Sequence, residues 1–497
     1  MRLSGYWAGI GLMVMGQMGT ARADRPITVT ILHNNDLHAH IEPTMIAKKP
    51  YGGYARIATL LKKYRASDPN PIYLNAGDTF QGTIYFNVYE GLADLAILNA
   101  MGLQAMALGN HEFDRGPKTL ATYIQNATFP VLSSNLKFAD TEPLKAMVQP
   151  YTVLTVADEK VGVVGATVED LVNISSPGPT VTQSDLLTSV QKSVDELTKQ
   201  GVNKIILLSH IGYQEDIQLA KKLRNVDVII GGHSHSPLGT PTLPGWPKPS
   251  GPYPTVVPDS TGRNVYIAQS WEWGKAFGRM KVDFDDQGQV VRVTDAEAIP
   301  VDASVPEDPV IKSLVTAFHA PIAAQANAVV GNTPVELPQQ GLMGYVLADA
   351  MLAATKKAGA VVAFTNAGGV RGGIPAGPIT YGQAISVAPF GNTLVLLDLK
   401  GSELAEILKA GILIPSQRFR YSRSGASAPT LNGALLDSEK VYRCCFNSFI
   451  ASGGDSMFGV RDAKGTRTDT GIVDIDALTE YLRQNNPVKV DPTLRRD

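Results

Sequence analysis

The sequence predicts an α/β protein of two layered domains with a helix between them, and three observations carry that prediction. From Asp24 to about Val305, strand-like apolar runs alternate with amphipathic helical stretches, the pattern of sheets covered by helices. From Pro306 to residue 328, Ile311, Leu314, Val315 and Phe318 recur at helical spacing, and Pro321 stands where it would end or kink a connecting helix. From residue 329 to 497 a second unit follows with different polar landmarks, and 497 residues suffice for two cores at the usual domain size of about 100–200 residues.

Within residues 24–305, five apolar runs read as strands: Ile27 to Leu32, Pro71 to Leu74, Ala105 to Leu108, Lys204 to Leu208 and Val226 to Ile230. Each leads into a polar block: Asp36-Leu37-His38, Gly77-Asp78, Gly109-Asn110-His111-Glu112-Phe113-Asp114, Ser209-His210, and Gly231-Gly232-His233-Ser234-His235. Loops beyond the carboxyl ends of strands are where layered α/β folds bind ligands, so the blocks are expected to converge on one crevice. Ile57, Leu60, Leu61 and Tyr64 after the Gly52-Gly53 turn predict a helix, as do Val190, Val194 and Leu197 ahead of Gly201, a C-cap. Leu238 to Pro258, rich in Pro and Gly and without a period, reads as a surface excursion. Val265 to Ala268 and Gly278 to Phe284 read as a strand-rich return.

A net charge of -2 without a basic stripe argues against a nucleic-acid polymer as partner. Arg2, the apolar stretch from Tyr6 to Met18 and Ala21-Arg22-Ala23 read as a signal peptide over residues 1–23, so a periplasmic or secreted protein starting at Asp24 is expected. That stretch is shorter than the roughly 20 apolar residues a membrane span needs, and no later segment qualifies. Cys444 and Cys445 are the only cysteines. Neighbours on a strand face opposite ways, so two buried thiols are expected rather than a disulfide.

Histidine usage follows the polar blocks. His33, His38, His40, His111, His210, His233 and His235 lie in or beside them, leaving only His319 elsewhere. A pair of divalent ions about 3.5–4 Å apart can bind a phosphate, acidify a bridging water and stabilise an in-line displacement. Such a pair needs a shared anion, and Asp78 is the expected bridge, because a carboxylate can join two cations and a neutral imidazole cannot. Asp36 and His38 alternate along one segment read as extended, and with His235 would hold one ion; Asn110, His210 and His233 would hold the other. This donor set suits Zn, Mn, Co or Fe rather than Ca. His111, next to Asn110 and three residues before Asp114, reads as a catalytic dyad: a charged imidazole for the phosphoryl group or the leaving oxygen, held in place by a carboxylate. His33 and His40 read as supporting the loop or facing solvent, and His319 as structural.

With these residues in place, the runs Asn75 to Gly91 (NAGDTFQGTIYFNVYEG) and Ala105 to Asp114 (AMALGNHEFD) make the chain resemble the 5′-nucleotidase family of metallophosphoesterases, its ecto-5′-nucleotidase branch above all, over nearly all residues after 23. The resemblance implies an N-terminal four-layer αββα metallophosphoesterase domain and a C-terminal mixed-sheet domain that binds the nucleotide. It implies that Asn366 and Arg371 contact the nucleotide, that Phe390 and Phe449 sandwich the base, and that Asp455 meets the ribose. From the residues alone, two phenylalanines near glycines read as core.

The sequence departs from the family in three places. His235 stands where the ecto-5′-nucleotidase branch has an asparagine, Gln339 and Gln340 stand where relatives often carry an arginine and a glutamate, and the stretch between Gly411 and Asp437 is short. The expectation is an exported hydrolase of nucleoside 5′-monophosphates. Alternatives are wider action on UDP-sugars and nucleoside di- and triphosphates, a 2′,3′-cyclic nucleotide phosphodiesterase, a thiosulfohydrolase of the same fold, or a non-catalytic nucleotide binder. The last would carry decayed ligands, and none is decayed here.

Overall fold

The computed structural model describes residues 25–239, 241–488, 490, 495 and 496, so the segment read as a signal peptide lies outside the described residues. The first domain is built on two sheets. One has seven strands in the order Val290–Pro300, Ala276–Phe284, Ile27–Asn34, Pro71–Asn75, Ala105–Ala107, Val131–Leu132 and Val148–Gln149. The other has six, in the order Thr255–Pro258, Asn264–Ala268, Val228–Ile230, Ile205–His210, Glu159–Thr167 and Tyr151–Val156. The strands leading to the polar blocks run parallel within each sheet, Thr30 pairing with Pro71, Leu74 with Ala105, and Ile206 with Val228.

The period-two alternation of each strand decides which layer a side chain enters. Ile31, Ile72 and Leu74 of the first sheet meet Val163, Ile206, Leu208 and Ile230 of the second in a core between the sheets. Their neighbours turn outward: Leu32 and Tyr73 pack under the helices Tyr54–Ser67 and Leu92–Met101, while Ile205, Leu207 and Ile229 pack under Leu186–Lys199 and Tyr213–Ala220. The result is the four-layer αββα arrangement. Gly53, at φ 88, turns the chain into the helix Tyr54–Ser67 and buries Ile57, Leu60, Leu61 and Tyr64. Asp185 accepts from the Thr188 N–H to start Leu186–Lys199, and Gly201 at φ 75 closes it.

The described parts of the stretch from Leu238 to Pro258 are more than a surface excursion. Leu238 and Trp246 are buried, Trp246 packing on Tyr51 and Trp271, and Thr255–Pro258 pairs antiparallel with Asn264–Ala268. Isolated apolar anchors of this kind leave no period for sequence reasoning to detect.

The connecting helix spans Pro309–His319, capped by Asp308, whose carboxylate accepts from the N–H groups of Val310 and Ile311. Pro321 follows it, and a short helix Ala323–Ala326 comes next. Ile311 and Val315 are buried against the first domain. The second domain carries a mixed five-stranded sheet in the order Leu413–Pro415, Val362–Asn366, Val441–Asn447, Thr393–Lys400 and Arg467–Val473. Cys444 packs on one face of it and Cys445 on the other, both as buried free thiols. Helices Gly344–Thr355 and Asp474–Gln484 share one core with the helices of the first domain. Asn87 Nδ2 donates to Pro389 O at 3.0 Å and Tyr89 Oη to Phe318 O at 2.8 Å, tying the second domain and the connecting helix to the first. Among the described residues, no helix is long and apolar enough to cross a membrane.

Candidate metal centre

The five polar blocks meet at the carboxyl ends of the parallel strands, with Asp36, His38, Asp78, Asn110 and His210 buried and His233 and His235 half-buried. The segment carrying Asp36 and His38 is not extended as expected. Asp36 (φ 50), His38 (φ 47), Asp78 (φ 55), His233 (φ 74) and His235 (φ 48) all hold left-handed backbone, a conformation uncommon outside glycine that concentrates where function over-determines geometry. The tight turns aim successive side chains at one point, which alternation along a strand cannot do.

Glu112 organises the loops. Its carboxylate accepts from the N–H of Asp78 at 3.0 Å, Thr79 at 2.7 Å and Gly109 at 2.7 Å. Burial, reinforced by the nearby Asp78, pushes its pKa up to about 6. A side chain at Gly109 would place its Cβ 2.1 Å from Asp78 Oδ1, so only glycine admits this packing. The Asp36 carboxylate accepts from the His233 N–H at 3.1 Å and from Asn35 Nδ2 at 2.6 Å.

Among the described residues, three groups of donor atoms lie mutually within 4.8 Å: Asp36, His38 and His235; His38, Asp78 and His111; and Asp78, His210 and His233. Asp78 belongs to two of them. Two histidines are held as Nε2 donors, because the His38 and His210 Nδ1 atoms sit 2.9 Å from Phe80 O and 2.7 Å from Ala76 O and must carry the hydrogen there. His38 Nε2 then faces His235 Nε2 at 3.1 Å, and His210 Nε2 lies 3.0 Å from Asp78 Oδ2 without a well-directed hydrogen bond. His233 Nδ1 is 2.9 Å from Asn110 Oδ1. Burial opposes charge on His210, yet Asp78 and Asp36 override it and push its pKa up to about 10. Lone pairs and carboxylates converging on one buried point fit divalent cations.

His111 Nδ1 lies 2.6 Å from Asp114 Oδ2, and Asp114 Oδ1 accepts from Ser175 Oγ at 2.6 Å. Burial works against protonation of His111, but Asp114 and Asp78 outweigh it and raise its pKa. The second domain reaches this point. Arg371 Nη2 is 3.4 Å from His38 Nε2, and the Phe390 ring stacks on His111 with centroids 5.7 Å apart and planes 22° apart. Asn366 forms a group of its own, donating to Asp455 Oδ2 at 2.7 Å and accepting from Asn447 Nδ2 at 3.0 Å. Phe449 lies over Gly454, where an added Cβ would stand 2.5 Å from its ring.

The calcineurin-like phosphoesterase family matches residues 29–237, and the 5′-nucleotidase C-terminal domain matches residues 323–460. The 5′-nucleotidase of Bos taurus is 34% identical over 512 residues, an alignment covering 93% of this chain and 89% of the bovine protein. The chain belongs to the 5′-nucleotidase family. Among solved structures, the 5′-nucleotidase precursor of Thermus thermophilus matches with a TM-score of 0.90 at 40% identity, over 95% of this chain and 99% of that one. The NAD nucleotidase of Haemophilus influenzae matches with a TM-score of 0.62 at 25% identity, over 95% and 99%. As a 5′-nucleotidase-family metallophosphoesterase, the chain is a metal-dependent phosphoesterase, and its C-terminal domain implies a nucleotide substrate.

Around this 5′-nucleotidase centre stand residues that sequence reasoning passed over. Glu272 Oε2 accepts from His235 Nδ1, and Gln269 Nε2 donates to Gly232 O at 3.0 Å. Both follow the strand Asn264–Ala268, so the rule that found the five blocks, polar residues at a strand end, reaches them too. Their signal was hidden because this block contains no histidine. His40 supports the loop, its Nδ1 donating to His38 O at 2.7 Å, and His33 is buried 2.6 Å from Tyr253 Oη.

Proposed function

We propose that the chain hydrolyses nucleoside 5′-monophosphates to nucleoside and inorganic phosphate. Asp36, His38 and His235 would hold one divalent ion and Asn110, His210 and His233 a second, with Asp78 placed to serve both and Zn, Mn or Co as the ions the donor set suits. The observation that carries this reading is the approach of the second domain, with Arg371 3.4 Å from His38 and Phe390 stacked on His111. A phosphate among the first-domain donors would therefore meet a guanidinium and an aromatic face on its ester side.

When bound, the ions supply phosphate binding, a water acidic enough to attack, and charge balance in the displacement. The chain's own residues do the rest. Arg371 meets the phosphate oxygens with a fixed fork of donors. His111, held through Nδ1 by Asp114, turns its other nitrogen to the developing phosphoryl charge or gives its proton to the leaving 5′-oxygen as the P–O bond breaks. Phe390 and Phe449 offer ring faces to the base, and Asp455, steadied by Asn366, accepts from a ribose hydroxyl. The leader-like residues 1–23 support export to the periplasm or medium.

Phosphate release from AMP, UMP, ATP, UDP-glucose and a 2′,3′-cyclic nucleotide tests the substrate. Release is expected to be fastest from AMP and UMP. Faster turnover of UDP-glucose, ATP or the cyclic nucleotide would replace the monophosphate reading. Export is tested by the N-terminus of protein recovered outside the cytoplasm, expected at Asp24.

A further inference from the structure

The turn after the strand Asn264–Ala268 reads Trp271-Glu272-Trp273-Gly274-Lys275 and is bent into an unusual shape. Trp271 (φ 64) and Trp273 (φ 57) both hold left-handed backbone, which is costly for bulky aromatic residues and persists only when surrounding contacts impose it. Those contacts are on the ligand segment itself: Trp273 N donates to Asp36 O at 2.7 Å, and Asn35 Nδ2 donates to Trp271 O at 2.6 Å. Glu272, between the two tryptophans, is thereby pointed at His235, whose Nδ1–H its Oε2 accepts. The other oxygen, Oε1, accepts from Lys275 Nζ at 2.6 Å. Lys275 is only 3% exposed, and its ammonium lies 4.2 Å from the Trp271 ring centre and 3.8 Å from that of Trp273. Trp273 is backed in turn by His40, stacked at 4.2 Å and 7°.

We propose that Glu272, clamped by Lys275 between Trp271 and Trp273, is a positioning residue that fixes His235 as an Nε2 donor and sets how tightly the site of Asp36, His38 and His235 holds its ion. The proposal rests on the reading of His235 as a ligand. An imidazole has two nitrogens, and the one hydrogen of its neutral form must sit on one of them. With Nδ1–H given to Glu272, the lone pair lies on Nε2, 3.2 Å from Asp36 Oδ1 and 3.1 Å from His38 Nε2. A carboxylate behind a ligating imidazole also strengthens it as a donor, and loss of such a partner costs about 10–100-fold in metal affinity. Lys275 has a separate task. It offsets the charge of the enclosed carboxylate and, braced by two indole faces, keeps Glu272 from swinging away. An amide ligand at position 235, binding through Oδ1, could still turn an Nδ2–H to Glu272, but it has no tautomer for that bond to fix.

Metal retention by the full, metal-loaded protein tests this. Wild type, Glu272→Gln, Lys275→Met and His235→Ala would be loaded with cobalt, checked for folding by circular dichroism, and dialysed against graded chelator. Metal per chain and the visible cobalt absorption would then be measured. Glu272→Gln is expected to release one of its two ions at about 10–100-fold lower chelator than wild type, with a shifted absorption band and the second ion held as before. Lys275→Met should weaken the same ion by less. If Glu272→Gln keeps wild-type retention and spectrum while His235→Ala loses an ion, the positioning role is wrong and the ligand reading survives. Equal loosening of both ions in Glu272→Gln and Lys275→Met also overturns it, as a general effect on the fold. If His235→Ala itself holds both ions with an unchanged spectrum, the ligand reading fails and takes the proposal with it.

Discussion

The candidate metal centre and the proposed nucleotide site are built to different tolerances. Asp36, His38, Asp78, Asn110 and His210 are buried, and backbone groups fix them: Glu112 gathers four N–H groups, and Phe80 O and Ala76 O set two imidazoles. Arg371, Phe390, Phe449 and Asp455 are only half-buried and sit in loops and short turns of the other domain. Charge stabilisation needs donors fixed in a dry site before the reaction begins. Stacking on a ring face tolerates displacement and any base, and a site that admits a nucleotide must leave those faces reachable. On the proposed reading, chemistry falls to the rigid half and recognition to the adjustable half, and removing residues from each should have different consequences.

The largest effect is expected at the shared carboxylate. Chelation should abolish activity and Mn, Co or Zn should restore it in wild type, whereas Asp78→Ala should stay inactive whatever is added, as read by phosphate release and metal per chain. Activity of metal-stripped Asp78→Ala at the wild-type level would sink the two-ion reading. Next comes His111→Ala, expected to lower kcat by about 10²–10⁴-fold with metal content unchanged. His111 has a ring nitrogen within 4.8 Å of donor atoms on His38 and Asp78, so a ligand role has a distinct signature: loss of an ion with the rate per loaded site retained.

Removing a ring from the adjustable half should do less. Stacking is worth roughly 1–3 kcal/mol per ring, so Phe390→Ala or Phe449→Ala should weaken AMP binding by about 5- to 150-fold. A base-free phosphate ester should be turned over at nearly the wild-type rate by both. Because Phe390 also stacks on His111, it tests where the two halves join. A fall in base-free ester turnover for Phe390→Ala, and not for Phe449→Ala, would make it a support of the dyad as well as a base contact. Parallel loss of both substrates with the folded fraction would make these rings core.

The same contrast explains what the sequence disclosed. The αββα domain was legible because strand periodicity and the polar blocks at strand ends are both local patterns, and Ile31 against Leu32 sorts into layers by alternation alone. Asp36 and His38 meet at one point, but through left-handed turns that no spacing rule anticipates. Glu272 stayed hidden between two tryptophans because its role exists only once His235 has folded against it. In the second domain, Cys444 and Cys445 on opposite faces followed from alternation, whereas Phe390 and Phe449 looked like core and were assigned by resemblance. Weak, displaceable contacts leave weak local signals.

The smallest expected effect concerns how the adjustable half is anchored, and pH is the probe. Asp474 starts the helix Asp474–Gln484, its Oδ1 accepting from the Ile475 N–H at 2.8 Å and its Oδ2 from Asn392 Nδ2 at 3.3 Å, while its own N–H donates to Asn392 O at 2.8 Å. These bonds hold the turn that follows Phe390. Burial, with a further push from Asp476, moves the Asp474 pKa up to about 7 despite the stabilising bonds from Asn392 and Ile475. An unfolded aspartate titrates near 3.9, so between about pH 4 and 7 the folded protein binds more protons than the unfolded chain, and the stability supplied by this group is lost as pH rises through about 7. Asp474→Asn keeps an acceptor oxygen and removes the titration. The difference in Tm between variant and wild type should therefore move in the variant's favour as pH goes from about 5 to about 8, with base-free ester turnover unchanged. Taking the difference cancels the pH dependence of metal binding and of the buried acids Asp94, Asp216 and Asp227 in the first domain, which both proteins share. A difference that stays constant across that range would mean Asp474 does not ionise there, and that the turn after Phe390 is anchored by hydrogen bonds independent of its charge.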